Sequence, residues 1–258
     1  MREHPFQEKV ALITGSSRGI GSVIARTFSA LGADVVITHR KEGGSSEAKG
    51  KRLCSEISGG GGRALLLNLD ISQKKSVHKA IIDTETHFGR LDFLILNAAR
   101  APFKPFERLF ERELRDLVYT NYLGHIFCIQ ESISLLEKTK GKIVFISSLG
   151  SRFHNPSYPL GSMKAAMESV VRDCSESLRE KGISVNGVCG GIARTDSFKT
   201  LRMYWDGIDR LPEGLFVTAE EIADVVMFLC GHESRGILGQ TLVVDKGLSN
   251  GLLRHIGP

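Results

Sequence analysis

The first candidate for binding chemistry is a glycine-rich run at residues 14–21, which follows a short apolar segment at residues 10–13. Apolar residues recur at helical spacing directly after this run. Glycines in such a turn let the backbone approach a phosphate, and the first N–H groups of the next helix point at the anion. The position between a strand and a helix therefore predicts a dinucleotide phosphate site. The residues predicted to form it are Gly15, Ser17, Arg18, Gly19, Ile20 and Gly21.

The end of the second predicted strand indicates which dinucleotide fits. An acidic residue there would hold the ribose 2′-hydroxyl of NAD(H), but the chain has Thr38, His39, Arg40 and Lys41. Cations accommodate the 2′-phosphate of NADP(H), and Arg18 can add a second positive charge. We therefore expect NADPH as the cofactor. The alternative for Arg40 and Lys41 is a solvated basic turn. The His39 ring either stacks on adenine or lies exposed.

Predicted strands and helices alternate along the whole chain. Continuous apolar strands that alternate with helices are typical of a parallel sheet covered on both faces. We predict one doubly wound α/β domain of the Rossmann type over residues 1–258, with a mainly parallel seven-stranded sheet and ligands at the carboxyl ends of the strands. Strands are predicted near residues 10–13, 34–38, 64–69, 91–96, 142–146, 183–188 and 241–244, and helices near 21–31, 47–57, 74–88, 110–136, 159–180 and 219–229.

The composition narrows the class of protein. The 258 residues carry a formal net charge of +5, but the cations are dispersed, which argues against nucleic acid binding. No apolar run approaches a membrane span and the start lacks a signal peptide, so a cytoplasmic location is expected. The five cysteines are far apart without a CxxC pair, which indicates reduced, mostly buried thiols and no metal site.

Two irregular stretches, residues 99–107 and 192–216, interrupt the alternation of strands and helices. Long loops in a compact α/β fold are usually functional. We expect them to form the wall of a substrate pocket, with 192–216 as the main substrate loop. A flap or an oligomer contact is the alternative.

Across nearly its whole length the chain resembles the short-chain dehydrogenase/reductase family. The resemblance is carried by residues 14–21, 70, 96–99, 121, 147–148, 164 and 239–245. It implies a Rossmann-fold oxidoreductase, usually a homotetramer or homodimer. By the same resemblance Asp70 contacts adenine, Asn97 lines the cofactor, Lys164 binds the nicotinamide ribose and Thr195 binds the carboxamide.

Departures from the family pattern point to one branch of it. Most members carry Tyr-x-x-x-Lys, whereas here Leu160 stands four residues before Lys164 and the nearest tyrosine is Tyr158. Gly190 and Gly191 also replace the usual Pro-Gly. Both features resemble the type III enoyl-ACP reductases and cyclohexenylcarbonyl-CoA reductases. That branch has six residues between tyrosine and lysine where this chain has five, a difference that the extended conformation before Pro159 can absorb.

The spacing between tyrosine and lysine matters because reduction of a ketone and reduction of an enoyl thioester place negative charge differently. A ketone needs its acid at the oxygen bonded to the carbon that receives hydride, whereas an enoyl thioester develops negative charge on its more distant oxygen. We predict that Tyr158 stabilises this enolate and that Lys164 orients the cofactor and the phenol. The expected catalytic residues are Tyr158, Lys164, Ser148 and Asn121. Structural roles stay open for three of them: Tyr158 as a packing aromatic, Ser148 as a strand-end cap and Asn121 as a helix-packing amide.

The predicted function is therefore NADPH-dependent reduction of the carbon–carbon double bond of an enoyl thioester. The substrate is carried by acyl carrier protein or CoA, and a basic rim beside the pocket suits an acidic carrier. The alternatives are a ketoreductase of the same fold and an inactive NADP-binding protein. Residues expected in the basic rim are Arg100, Lys104, Arg108, Arg112, Arg115, Lys199, Arg202 and Arg210.

Overall fold

The computed structural model describes residues 4–154, 159–194, 198, 202–204 and 208–251. Within these residues, seven strands pair in parallel to form a single sheet in the order β3-β2-β1-β4-β5-β6-β7. This confirms the predicted doubly wound fold. The strands are β1 (Val10–Ile13), β2 (Asp34–His39), β3 (Ala64–Asn68), β4 (Phe93–Leu96), β5 (Lys142–Ser148), β6 (Ser184–Gly190) and β7 (Thr241–Val244).

Helices cover both faces of the sheet, which explains why every side chain of the central strands β1 and β4 is buried. One apolar core contains residues of α1, α2 and α7, and the other contains residues of α3, α5 and α6. The helices are α1 (Gly19–Ala30), α2 (Ser45–Gly59), α3 (Lys74–Phe88), α4 (Glu111–Val118), α5 (Gly124–Thr139), α6 (Gly161–Ser177) and α7 (Ala219–Cys230). Among the described helices, none combines the length and the hydropathy that a bilayer crossing requires.

The helix predicted over residues 110–136 is interrupted by a π-helical turn at Tyr119–Leu123 that separates α4 from α5. The Asn121 Nδ2 atom donates to Leu117 O at 3.0 Å and to Arg100 O at 2.7 Å. The amide thereby ties the wide turn to the loop after β4. Such turns frequently mark functional sites, and this one directs Asn121 into the interior, where it is fully buried.

The strand order reverses between β1 and β4, where chain crossovers depart to opposite sides of the sheet. In open α/β sheets, ligands bind at the carboxyl ends of the strands beside such a reversal. The glycine-rich run follows β1 and Asn97 follows β4. The fold therefore brings these two predicted binding elements to one edge.

Candidate active site

The glycine-rich run forms a tight turn that neighbouring strands hold in place. Gly15 adopts a φ of +67°, a conformation suited to glycine, and its N–H donates to Thr38 Oγ1 at 2.8 Å. The Asn97 Nδ2 atom donates to the carbonyl oxygens of Thr14 and Gly15 at 3.0 and 3.2 Å. Two strand ends therefore fix the turn from opposite sides, as a rigid phosphate cradle requires.

The turn leads directly into the N-terminus of α1, which is open to an anion. Arg18 precedes the helix without capping it through its side chain, and the first turn contains no acidic residue. Gly19 and Ile20 begin the helix and Ser17 is buried beneath it. The free N–H groups and the positive end of the helix dipole thus fit a dinucleotide pyrophosphate.

The end of β2 presents positive charge. Arg40 and Lys41 are exposed, whereas His39 is buried and its Nδ1 atom lies 3.3 Å from Lys41 O. The alternative of an exposed His39 ring is therefore wrong, because the ring folds back beside its own chain. Asp70, after β3, accepts hydrogen bonds from the N–H and hydroxyl of Ser72 on its Oδ1 atom.

Lys164 lies on α6 and is buried, with only 3% of its surface exposed. Its Nζ atom donates to Ile146 O at 2.5 Å and lies 4.6 Å from the centre of the Phe145 ring. Burial lowers the pKa of this ammonium to about 8, and Cys189 and Glu168 offset part of the shift.

Ser148 is the last residue of β5, where it is half-buried and pairs with Gly190 of β6. It precedes the 3₁₀ turn Leu149–Ser151 but its side chain makes no capping hydrogen bond. Ser148 therefore occupies the N-cap position of this turn without using its hydroxyl there. The Asn121 amide bonds to both the N–H and the carbonyl of Arg100, so Asn121 positions the loop after β4 as well as its own helix.

The loop that precedes α6 begins and ends at two glycines whose backbones touch. A Cβ atom built on Gly161 would lie 2.1 Å from the carbonyl oxygen of Gly150, so a side chain is excluded there. Between these glycines, Leu160 is buried, and its aliphatic side chain has no proton to donate. Tyr158 lies outside the described residues, as does Thr195 after β6.

Comparison with known proteins identifies the family. A family model described as "Enoyl-(Acyl carrier protein) reductase" matches residues 15–249. The 1-cyclohexenylcarbonyl-CoA reductase of Streptomyces collinus is 34% identical over 253 residues, which cover 94% of this chain and 88% of that protein. The chain belongs to the short-chain dehydrogenase/reductase family.

Other members show the range of this family. The 3-oxoacyl-[acyl-carrier-protein] reductase FabG of Escherichia coli (strain K12) is 30% identical over 248 residues, covering 94% of this chain and 98% of that protein. A short chain dehydrogenase from Burkholderia cenocepacia J2315, solved in complex with NADP, superposes with a TM-score of 0.86 at 29% identity and covers 95% of this chain and 99% of that one. Membership in the short-chain dehydrogenase/reductase family makes the chain an oxidoreductase.

The structure adds polar residues near Lys164 that the sequence analysis missed. Glu168 follows Lys164 by one helical turn, a spacing that could have indicated it. His125 follows Asn121 by four residues, and both of its ring nitrogens are buried without a hydrogen-bond partner among the described residues. Burial, and then the charge of Lys164, lower the pKa of His125 to about 3.

We expect Gly21→Ala to weaken binding of a nicotinamide dinucleotide at least about tenfold. The added Cβ atom would lie 2.6 Å from Asn97 Nδ2 and 2.8 Å from Gly15 O, and overpacking of this kind costs roughly 1–3 kcal/mol. Fluorescence titration with the reduced dinucleotide measures the affinity. Gly59→Ala is the matched control, because its Cβ atom meets nothing within 4 Å. Equal affinities in the two variants would contradict the role of the turn.

Proposed function

We propose that this protein is an NADPH-dependent reductase of the carbon–carbon double bond of an enoyl thioester. The observation that carries the proposal is that Leu160, whose side chain cannot donate a proton, directly precedes α6. Leu160 occupies the position four residues before Lys164, where most of the family has its proton-donating tyrosine. A tyrosine upstream of this position, Tyr158, supports chemistry on a more distant oxygen.

The distance between reacting atoms distinguishes the two substrate classes. In a ketone, the carbon that accepts hydride carries the oxygen that needs a proton. In an enoyl thioester, hydride reaches the β-carbon and the charge develops on the thioester oxygen, two bonds further away. A donor placed further upstream of the helix than position 160 suits the second arrangement.

Residues of this chain are proposed to bind the cofactor, to orient the phenol and to stabilise the enolate. The turn at residues 14–21 and the start of α1 would hold the pyrophosphate, and Lys164 would hold the nicotinamide ribose. NADPH supplies the hydride when it is bound. Tyr158 donates a hydrogen bond to the developing enolate oxygen, Lys164 orients that phenol, and Ser148 supports the carbonyl. Asn121 keeps the loop after β4 in position through its two bonds to Arg100.

The preference for NADPH rests on charge. Arg40 and Lys41 are exposed at the end of β2, and Arg18 is exposed at the start of α1. Cations attract the 2′-phosphate, and a carboxylate at this position would repel it.

We expect Arg40→Asp to lower the ratio of kcat/KM with NADPH to kcat/KM with NADH at least about tenfold. A hydrogen bond to a charged group contributes about 1.5–3 kcal/mol, and the new carboxylate adds repulsion. Steady-state kinetics with both cofactors measure the ratio. Arg235→Asp, which changes an exposed arginine after α7, is the control. An unchanged ratio in Arg40→Asp would contradict the assignment of the phosphate site.

An assay of NADPH oxidation tests the proposed reaction. Crotonyl-CoA and an enoyl chain on an acyl carrier protein are the expected substrates. Oxidation that requires a 3-ketoacyl thioester or a simple ketone would replace the proposal with ketone reduction, which the 30% identity to FabG favours as the second candidate. Binding of NADPH without turnover on the whole panel would indicate a protein that binds NADP without catalysis.

We propose an acyl carrier protein or CoA as the carrier of the substrate, and a homotetramer or homodimer as the assembly. Arg100, Arg108 and Arg112 are exposed beside the loop after β4, which suits an acidic carrier. Lys104 and Arg115 instead pair with Glu113 and Glu111. A Michaelis constant for carrier-bound substrate that rises with salt, while that for the CoA thioester rises less, supports the protein carrier.

A further inference from the structure

Glu168 connects the two elements that carry the candidate catalytic groups Ser148 and Lys164. It lies on α6 one turn after Lys164, with its side chain 12% exposed. Its Oε1 atom accepts hydrogen bonds from the hydroxyls of Ser147 at 2.5 Å and Ser151 at 2.6 Å. These two serines flank Ser148 on both sides, so one carboxylate holds both ends of the segment that presents the Ser148 hydroxyl.

The second carboxylate oxygen faces a cation. The Arg152 Nη2 atom lies 3.6 Å from Glu168 Oε2. Arg152 directly follows the turn Leu149–Ser151, so a third contact fastens the same turn to α6. Gly150 and Gly161 fasten it again at the start of the helix, where their backbones touch. The position of the turn relative to α6 is therefore set at both ends.

Glu168 also differs in charge from the other groups that face Lys164. His125 of α5 is neutral, because burial lowers its pKa to about 3. Cys189 of β6 is a neutral thiol at pH 7, because burial raises its pKa to about 11. Glu168, Arg152 and Asp245 also act on Cys189. Cys189 and Glu168 both raise the pKa of Lys164, and Glu168 is the carboxylate of the two.

We propose that Glu168 is a positioning residue that fixes the Ser148 turn against α6 and, one helical turn from Lys164, favours the charged form of that lysine. The inference rests on the proposed function for the roles of Ser148 and Lys164. It assigns to Glu168 no contact with the substrate or the cofactor.

Titration of Lys164 in Glu168→Gln tests the inference without a substrate. Glutamine keeps the size of the side chain and a carbonyl acceptor for the two serines, but removes the charge. NMR of protein labelled with ¹³C at lysine Cε reports protonation of each ammonium, and loss of one signal in Lys164→Arg assigns it. We expect a titration midpoint near 8 for Lys164 in the wild type, and a midpoint lower by about half a unit or more in Glu168→Gln.

Glu176→Gln is the matched control, since Glu176 lies two turns further along α6 and is exposed. Its Lys164 midpoint should equal that of the wild type. A wild-type midpoint in Glu168→Gln would overturn the inference. Glu168→Asp, which keeps the charge on a shorter side chain, should keep the midpoint within about 0.3 units of wild type, and a shift as large as that of the glutamine variant would also overturn it.

The pH dependence of turnover supplies a second readout. The alkaline loss of kcat should occur at lower pH in Glu168→Gln than in Glu176→Gln. If no enoyl thioester is reduced but the NMR midpoint shifts, the proposed function fails and the electrostatic role stands. If enoyl thioesters are reduced and neither the midpoint nor the pH profile moves, the proposed function stands and the role of Glu168 is refuted.

Discussion

Lys164→Met is expected to lower the rate of thioester reduction at least about a hundredfold while leaving the fold intact. Methionine fills the volume of the buried lysine stem but removes the ammonium that is predicted to bind the ribose and orient the phenol. Loss of one oriented charged donor costs a rate factor of this size in other active sites. Single-turnover measurement of NADPH oxidation separates the chemical step from binding. Lys75→Met, an exposed lysine of α3, is the control.

The same variant, Lys164→Met, should also change how the free energy of unfolding depends on pH. Burial lowers the pKa of Lys164 to about 8, below its value of 10.5 in the unfolded chain. Between these values the unfolded chain holds a proton that the folded chain has lost, so the free energy of unfolding of the wild type rises with pH in this window. The rise amounts to about 3 kcal/mol from this group.

Lys164→Met should lack this contribution, so its stability relative to wild type should fall by about 3 kcal/mol between pH 8 and pH 10.5. Cys128 and Cys230 have the opposite effect, because burial raises the pKa of each thiol to about 12, but they act equally in both proteins and cancel. Urea unfolding at both pH values measures the difference. Parallel pH dependences in the two proteins would contradict a buried, charged Lys164.

Tyr158→Phe is expected to lower the chemical step about a hundredfold or more and to leave NADPH affinity unchanged. The substitution removes one hydroxyl, and removal of a single oxyanion donor costs roughly 2.7–4 kcal/mol in other enzymes. Rapid-quench or stopped-flow kinetics measure the step, and fluorescence titration measures the affinity.

Tyr122→Phe is the matched control, because Tyr122 is half-buried and packs against the apolar core on the α5 side of the sheet. It should keep activity within about twofold. Unchanged turnover in Tyr158→Phe would exclude the phenol as the enolate donor. A loss of NADPH affinity equal to the loss of rate would indicate that Tyr158 acts through the cofactor.

The sheet could be predicted from the sequence because its signal is local. The apolar runs of β1 and β4 and the β-branched run of β2 each identify a buried strand, and the predicted strand at residues 241–244 has the same bounds in the structure. The turn at residues 14–21 is equally local, since glycine is favoured where the backbone has a positive φ, as at Gly15 and Gly19.

The features that could not be predicted depend on contacts between distant residues. The π-helical turn forms because Asn121 bonds to Arg100, 21 residues away, and no helical periodicity contains that information. The wide turn at Tyr119–Leu123 changes the phase between α4 and α5, and Tyr119 is 47% exposed.

In the candidate active site too, features that depend on contacts between distant residues could not be predicted from the sequence. Individual residues such as Lys164 and Asn97 follow from the family resemblance, but the role of Glu168 does not, because it becomes visible only when β5 and α6 lie side by side. Burial is also a property of the folded chain. The sequence identifies Leu160 as a departure from the family pattern, and the structure adds that this side chain lies in the interior.

The contact between Gly150 and Gly161 brings together the two ends of the segment that contains Tyr158. Ser151 and Arg152 tie the first part of this segment to Glu168, so we expect a change of length to be accommodated between Arg152 and Leu160. Closing a loop that differs by one residue changes its entropy very little. Grafted loops of graded length there offer a direct way to engineer the reach of the phenol.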